Sequence, residues 1–298
     1  MPEMHDALFH YYCEFDAIAL IDRFAVGDKS PSPELITNFL GVRIPPKVFP
    51  PVLDKMKGQV EPVPSPGNWH ADIAEWSSAL RSVDQCLGDT YRIVELGCGW
   101  GCWLVNMGSA ARSRGLKVEL IGVEGDYNHL DNAGDVLRMN GFTPEQFRLN
   151  HGIAGPAVGK AVFPDYAKGA GGWGGEAIFY PSDAILAKAM SDPSVQVLDC
   201  LTLDMLSDGN PIDLLHIDIQ GAEVDYVYGN MDSIVRLVKR VLIGTHSRII
   251  EGRLMDHFLS AGWRLEMDRS VIAPVISGKP ETLVDGVQLW ANPSFNAN

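Results

Sequence analysis

The stretch YRIVELGCGWGCW, residues 91–103, decides the fold of this chain. An apolar run that contains one acid, Glu95, leads into glycines at positions 97, 99 and 101, and a segment with helical character follows. The pattern predicts a strand, a tight glycine turn and the start of a helix. Because glycine has no Cβ and adopts positive φ at little cost, such a turn lets the backbone approach a ligand closely.

Outward from this stretch, strand-like and helix-like segments alternate along the chain. Residues 118–124 (VELIGVE) form an almost wholly apolar run that ends in an acid, which is typical of a parallel strand buried on both faces. Further strands are predicted at 146–155 (with its exit loop), 159–164, 211–223 (with the start of a helix), 238–247, 262–269 and 285–293, and helices at 101–114, 127–139 and 250–261. The alternation predicts an α/β fold: a doubly wound, mostly parallel, seven-stranded sheet with an antiparallel C-terminal edge strand.

A proline-rich N-terminal arm, residues 1–68, is expected to precede the main domain, residues 69–298. Nine of the 19 prolines lie between residues 30 and 67, which argues against long regular elements and leaves a short helix near 33–40. The arm is expected to pack on the main domain or on another subunit, so a homo-oligomer built through it stays open. Apolar residues at helical spacing between Trp69 and Leu87 predict a helix just before the first core strand.

The amino-acid composition limits which partners and which cellular location are expected. Lys plus Arg is 24 against 38 Asp plus Glu, a net charge of 24 − 38 = −14, and no basic patch is visible, so a nucleic-acid partner is disfavoured. The five cysteines form no CxxC pair, which argues against a structural zinc site and for a reducing compartment. The N-terminus lacks a signal-peptide pattern and no apolar run reaches roughly 18 residues, so we expect a cytoplasmic protein without a membrane span.

The glycine spacing separates two kinds of cofactor. In the dinucleotide fingerprint G-x-G-x-x-G/A the third small residue would fall at Cys102, whereas here the glycine is at 101, which disfavours a nicotinamide-dependent oxidoreductase. The spacing E-x-G-x-G-x-G instead resembles motif I of the class I S-adenosylmethionine-dependent methyltransferases, whose fold is Rossmann-like. The resemblance implies that Gly97, Cys98, Gly99 and Gly101 pass under the methionine and ribose portion of the cofactor, with Glu95 near its ammonium group. A glycine turn that binds nothing is the alternative.

Two further strand ends are expected at the cofactor. Glu124 follows Gly101 by 23 positions and ends the second strand, where an acid typically accepts both ribose hydroxyls in hydrogen bonds. Gly125 is expected to shape the next turn and Asp126 to cap the next helix. At the exit of the third strand, His151 and Ile153 lie where related enzymes hold the adenine edge, although a plain loop fits this segment as well.

A second signature lies farther along the chain. The segments LTLDML (201–206) and DLLHIDIQGAEVDYV (213–227) resemble the signature of FkbM-type methyltransferases over roughly residues 90–265. Gln220 stands where that family usually has glutamate, and His216 where it often has lysine. His216 points into a buried strand and is expected to be a core histidine.

The same resemblance indicates the catalytic residues. Asp218 ends the fourth strand, where a carboxylate can bind the cofactor or the acceptor hydroxyl, hold a divalent cation and offset the sulfonium charge. Glu223 follows in the first helical turn and is either a helix-end acid or a ligand contact. FkbM-like sequences tend to place a histidine after the fifth strand, two residues after an acid, which Gly244 replaces here. His246 occupies that place, and we expect it to be the general base.

These observations predict an S-adenosylmethionine-dependent O-methyltransferase that acts on a hydroxyl of a saccharide or another small-molecule natural product. No metal is expected, although a Mg²⁺-assisted variant that uses Asp218 stays open. A non-catalytic, cofactor-binding scaffold protein is the alternative from another class. The glycine-rich run 169–175, which contains Trp173, is expected to be either a lid over the acceptor or a flexible loop.

Overall fold

The computed structural model describes residues 4–27, 29–166 and 174–295. Its helices are α1 Met4–Ala7, α2 Ala17–Phe24, α3 Pro50–Leu53, α4 Ile73–Asp84, α5 Cys102–Ser113, α6 Tyr127–Met139, α7 Asp183–Ala189, α8 Leu203–Ser207, α9 Glu223–Leu237 and α10 Arg248–Ser260. Short 3-10 turns lie at Pro46–Val48, Asp54–Met56, Pro144–Gln146 and Pro293–Phe295.

The strands alternate with these helices from residue 90 onward. They are β1 Tyr12–Cys13, β2 Ile36–Thr37, β3 Arg43–Ile44, β4 Thr90–Leu96, β5 Lys117–Glu124, β6 Phe147–His151, β7 Ile153–Ala154, β8 Gly159–Pro164, β9 Ile178–Phe179, β10 Val195–Leu201, β11 Leu214–Ile217, β12 Arg240–Thr245, β13 Arg264–Arg269, β14 Val275–Ile276, β15 Lys279–Pro280 and β16 Gly286–Ala291. The predicted helices at 101–114, 127–139 and 250–261 correspond to α5, α6 and α10 within two residues at each end.

The α/β fold is confirmed, with two corrections to the sheet. The central sheet has eight strands in the order β1-β13-β16-β12-β11-β4-β5-β6, and β12, β11, β4, β5 and β6 are parallel. The C-terminal strand β16 is antiparallel, as predicted, but lies inside the sheet between β12 and β13. All six of its residues are buried, and an interior position pairs its backbone on both sides. The edge strand on this side of the sheet is β1 of the N-terminal arm, and β6 is the other edge.

The core lies on both faces of this sheet. Side chains alternate along a strand, so Leu214 of β11 packs with α4 and α5 on one face while Leu215 packs with α9 and α10 on the other. Trp76 and Trp103 dominate the first face, and each is at most 3% exposed. Helices on both faces leave the carboxyl ends of the parallel strands free to carry the site.

The arm packs on the main domain, and the helix predicted near 33–40 is wrong. That segment forms the hairpin β2–β3, because the Asn38 side chain accepts hydrogen bonds from the backbone N–H groups of Leu40 and Val42, both at 3.0 Å, and Gly41 takes a φ of +78°. Such a side chain closes a turn in place of a helix. The buried side chains Ile36 and Phe39 of this segment belong to the same core cluster as α4 and α5.

A smaller sheet, β7-β10-β8-β9, stands beside the central one. The segment 146–155, predicted as a strand and its exit loop, divides at Gly152 into β6 of the central sheet and β7 of the smaller one. A Cβ at Gly152 would lie 2.9 Å from Leu201 Cδ1 and 3.1 Å from the Asp199 carbonyl oxygen, so the chain changes sheets at a close contact. Residues 169–173, which include Trp173 of the predicted lid, lie outside the described residues.

Among the helices that the structure describes, none is long and apolar enough to cross a membrane.

Candidate active site

The glycine turn after β4 forms one wall of a cavity at the carboxyl ends of the parallel strands. The amide groups of Gly97 and Cys98 donate to the Val123 carbonyl at 3.0 and 2.9 Å, which folds the turn over β5. Gly97 has a φ of +71°, and a Cβ there would overlap the backbone oxygen of Asp218. The close approach of β4 to the end of β11 therefore requires glycine.

This first cavity brings together the ends of several strands that were predicted from the sequence to bind the cofactor. Its lining includes Gly97, Gly99, Glu124, Gly125, Asp126, Ile153, Phe163, Tyr166 and Asp218. Glu124 accepts hydrogen bonds from Gly99 N and Asp126 N, both at 2.8 Å, one on each carboxylate oxygen. Burial raises the pKa of Glu124. Each of its oxygens keeps a second lone pair that can accept from a hydroxyl.

Asp126 presents an acceptor without a partner to the same cavity. Its Oδ1 accepts from Asn128 N at 2.7 Å and caps α6, as predicted. Its Oδ2 is buried and has no hydrogen-bond partner among the described residues. A buried acceptor is costly without a donor, so the cavity wall offers a place for a donor of a bound ligand.

Four residues predicted at the cofactor do not line this cavity. Glu95 is 2% exposed and accepts from Trp103 N and Leu104 N, so it satisfies the start of α5 instead. Cys98 is buried in the core. A Cβ at Gly101 would lie 3.1 Å from Ala133 Cβ, so this glycine allows α5 and α6 to pack closely. His151 Nε2 lies 3.0 Å from the Gly125 carbonyl, at the exposed side of the turn.

Asp218, Glu223 and His246 form a cluster at the ends of β11 and β12. His246 Nδ1 lies 2.9 Å from Glu223 Oε1, and His246 Nε2 lies 3.3 Å from Asp218 Oδ1. Burial opposes charge on His246, but the two carboxylates outweigh it and raise its pKa to about 10. Burial would raise the pKa of Asp218, but His246 outweighs it and lowers that pKa. One ligand atom from each residue lies within 4.8 Å of the others, an arrangement that could hold a metal ion.

The expected role of His246 as a free general base does not fit these contacts. Both of its ring nitrogens face carboxylate oxygens, and it lines neither cavity. At neutral pH the ring is therefore an imidazolium without a free lone pair, because the two acids favour its charged form. Its position fits a cationic partner that keeps Asp218 ionised.

A second cavity lies next to Asp218. It is lined by the arm and the end of the chain as well as the strand ends: Leu8, Ser65–Asn68, His70–Asp72, Glu75, Asp218, Gly244, Arg269 and Leu283–Asp285. Asp218 lines both cavities. Arg269 Nε pairs with Asp72 Oδ2 at 2.5 Å, and both side chains are buried.

Sequence reasoning missed the ionisable residues of the second cavity other than Asp218. Burial raises the pKa of Glu75 to about 8, with Asp72 adding to it and Arg269 opposing it. Burial also raises the pKa of Asp285 and lowers that of His70 to about 4. His70, Asp72 and Glu75 lie in one short segment, whereas Arg269 and Asp285 lie near the other end of the chain. The residues belong to no motif, so only the helix-cap pattern at Asp72 carried a local signal.

Comparison with known proteins identifies the class. No protein-family model matches the chain. A protein of Jannaschia sp. (strain CCS1) that bears the name "Putative methyltransferase" is 52% identical over 264 residues, which are 89% of this chain and 94% of that protein. The chain belongs to this methyltransferase family.

Solved structures similar to this methyltransferase include other methyltransferases. The FkbM methyltransferase of Methylobacillus flagellatus KT is 14% identical with a TM-score of 0.45, and the match covers 74% of this chain and 54% of that one. The chain thus spans just over half the length of that protein. The precorrin-6Y C5,15-methyltransferase of Geobacter metallireducens GS-15 is 11% identical with a TM-score of 0.39, covering 72% of this chain and 84% of that one.

Proposed function

We propose that this methyltransferase transfers a methyl group from S-adenosylmethionine to a hydroxyl oxygen of a saccharide or another small molecule. The observation that carries the proposal is the position of Asp218, which lines both cavities. A cofactor in the first cavity and an acceptor in the second would meet at this side chain. Alignment of two reactants at one point can supply much of the rate.

The first cavity fits this cofactor. S-adenosylmethionine supplies a methyl group on a positively charged sulfur atom. Gly97 and Gly99 leave the turn without side chains, and Glu124 keeps lone pairs for the two ribose hydroxyls. Asp126 Oδ2 is an unpartnered acceptor for an amine donor, and the apolar side chains of Ile153 and Phe163 form a wall suited to a flat base.

Asp218 is proposed to bind the reactants at the junction. Its lowered pKa keeps it ionised at neutral pH, so it can offset the sulfonium charge and accept a hydrogen bond from the acceptor. Glu223 is fixed in turn, since its Oε1 accepts from Ile219 N at 3.2 Å and Gly221 N at 3.0 Å. The proposed role of Glu223 and His246 is to position Asp218 and hold its charge.

The second cavity favours hydroxyl-bearing acceptors over phosphates. Asp72, Glu75, Asp218 and Asp285 contribute carboxyl groups to its lining, and Arg269 is the cation paired with one of them. Carboxyl groups exchange hydrogen bonds with hydroxyl groups, the ionised Asp218 repels phosphate, and the chain as a whole carries −14. This charge supports a saccharide-like acceptor and disfavours a nucleic acid.

The substitution Asp218→Asn tests the proposal. We expect the rate of labelled-methyl transfer to fall at least about 100-fold, because the amide carries no charge to stabilise the transition state. Asp131→Asn, on the exposed side of α6, is the matched control and should keep the wild-type rate. An Asp218→Asn protein with an unchanged rate would remove Asp218 from the reaction.

A metal-assisted reaction is the second candidate, and the cluster of Asp218, Glu223 and His246 favours it. Carboxylate oxygens suit Mg²⁺, which could hold the acceptor oxygen there. Loss of methyl transfer in EDTA, with recovery on addition of Mg²⁺, would support this variant. Activity that EDTA leaves unchanged would support the metal-free reaction.

A further inference from the structure

His70 lies in the wall of the second cavity together with Asp218. Its backbone is fixed by Asn68, whose Oδ1 accepts from His70 N at 3.1 Å, from Ala71 N at 3.0 Å and from Trp76 Nε1 at 3.2 Å. The segment therefore holds one conformation at the start of α4. It precedes residues 90–265, over which the chain resembles the FkbM-type signature, so no motif pointed to it.

Indole rings set the orientation of the His70 ring. Its centroid lies 5.2 Å from that of Trp69, 5.5 Å from that of Trp100 at an interplanar angle of 71°, and 5.8 Å from that of Trp103. Side chains of this size limit the movement of the imidazole and keep water from most of its surface. The ring is thus fixed at the cavity that we assign to the acceptor.

His70 differs from the other histidines near Asp218 in what its nitrogens contact. His246 faces two carboxylates and lines neither cavity, and His216 is 2% exposed and also lines neither. No hydrogen bond engages the His70 ring within the residues that the structure describes. Burial lowers its pKa to about 4, although Asp218 opposes the change, so the ring is neutral at pH 7 and has a free lone pair.

We propose that His70 is the general base of the methyl transfer and takes the proton of the acceptor hydroxyl. The inference rests on the proposed function. As the acceptor oxygen forms its bond to the methyl carbon, the bond from that carbon to sulfur breaks and its electron pair stays on sulfur. The acceptor O–H bond breaks in the same reaction, and its proton moves to the free ring nitrogen of His70. Asp218 then stabilises the imidazolium that forms, since its charge favours the protonated ring.

The test compares His70→Gln, His70→Ala and the surface control His10→Gln in labelled-methyl transfer. Glutamine preserves much of the side-chain volume but takes up no proton, so we expect kcat to fall about 100-fold or more with KM changed less than about threefold. Binding of S-adenosylhomocysteine, measured by calorimetry, should stay within about twofold of wild type, because His70 does not line the first cavity. Added imidazole should restore part of the activity of His70→Ala, and none of that of Asp218→Asn.

The outcomes separate this inference from the proposed function. If His70→Gln keeps a kcat within about threefold of wild type while Asp218→Asn loses activity, His70 is not the base and the proposed methyl transfer stands. If imidazole fails to restore folded His70→Ala, whose thermal unfolding and ligand binding match wild type, the base role is also overturned. If wild type itself transfers no label, the proposed function fails and the base role fails with it.

Discussion

Gly97 lies where the glycine turn meets the end of β11, and a Cβ there would overlap the backbone oxygen of Asp218. We predict that Gly97→Ala weakens S-adenosylmethionine binding at least about tenfold, since the added Cβ must displace the backbone of residue 218. Calorimetry on the purified protein measures the effect. Gly115→Ala is the matched control, because Gly115 has a similar φ of +79° and open space around its Cβ position. Equal binding by the two variants would contradict the account.

His216 makes the stability of the protein sensitive to acid. It was expected to be a core histidine, and it is 2% exposed, but neither ring nitrogen has a partner among the described residues. Burial lowers its pKa from 6.5 to about 4; nearby Asp218 opposes this and His70 adds to it. Between pH 4 and pH 6.5, His216 is therefore protonated in more of the unfolded chains than of the folded ones. Stability should therefore fall as pH drops from 6.5 to 4.

The substitution His216→Leu tests this pH dependence. Between pH 7 and pH 4, the free energy of unfolding should fall by up to roughly 3 kcal/mol less in the leucine variant than in wild type, because leucine takes up no proton. Urea unfolding at both pH values measures the difference. His10→Asn, at an exposed position, should follow wild type. A leucine variant that loses as much stability as wild type would show that His216 is not the titrating group.

Some residue roles could be predicted from the sequence, and others could not. The glycine turn and the strand-end acids Glu124 and Asp218 follow from local spacing, and the structure brings them to one cavity. Glu95 also lies in a predicted strand, but its carboxylate accepts hydrogen bonds from the first backbone N–H groups of α5. This contact depends on where the helix lies relative to the strand. His70 could not be found, because its place beside Asp218 in the lining of the second cavity depends on how the segment before α4 packs on the sheet.

At the scale of elements, one buried amide links the arm to α5 in addition to their apolar contacts. Asn38 is 1% exposed, and its Nδ2 donates to Asn106 Oδ1 at 2.6 Å while its Oδ1 closes the β2–β3 turn. We predict that Asn38→Ala lowers the free energy of unfolding by roughly 2–4 kcal/mol, because buried donors lose their partners. Asn210→Ala, at an exposed loop, should change it by less than about 0.5 kcal/mol. Urea unfolding compares the two, and equal losses would contradict the role of Asn38.

The periodic elements were predictable and the short ones were not. The helix α6 has the predicted bounds, because its apolar spacing and its Asp126 cap are both local. The sequence pattern predicts a helix where the hairpin β2–β3 forms, since strands of two residues carry no period and the Asn38 turn decides their pairing. The interior position of β16 depends on its pairing with β12 and β13, and a local sequence pattern does not specify which strands pair.

At the scale of the whole molecule, the sheet order creates the site. Parallel pairing of β4, β5, β11 and β12 brings the glycine turn, Glu124, Asp218 and His246 to one edge, where ligands of such sheets bind. The arm and the end of the chain then add the second cavity, with Leu8 and Asp285 in its lining. The sequence indicated the first cavity through a motif, whereas the second arises from tertiary packing alone.

Labelled-methyl transfer into a fractionated extract of the source organism tests the central claim most directly. Wild type and Asp218→Asn are incubated with S-adenosylmethionine that carries the label on its methyl group, and mass spectrometry identifies the product. We predict that wild type places the label on an oxygen of a small, hydroxyl-bearing molecule and that Asp218→Asn places almost none. A wild type that binds S-adenosylmethionine but labels nothing would contradict the claim and support a cofactor-binding scaffold protein.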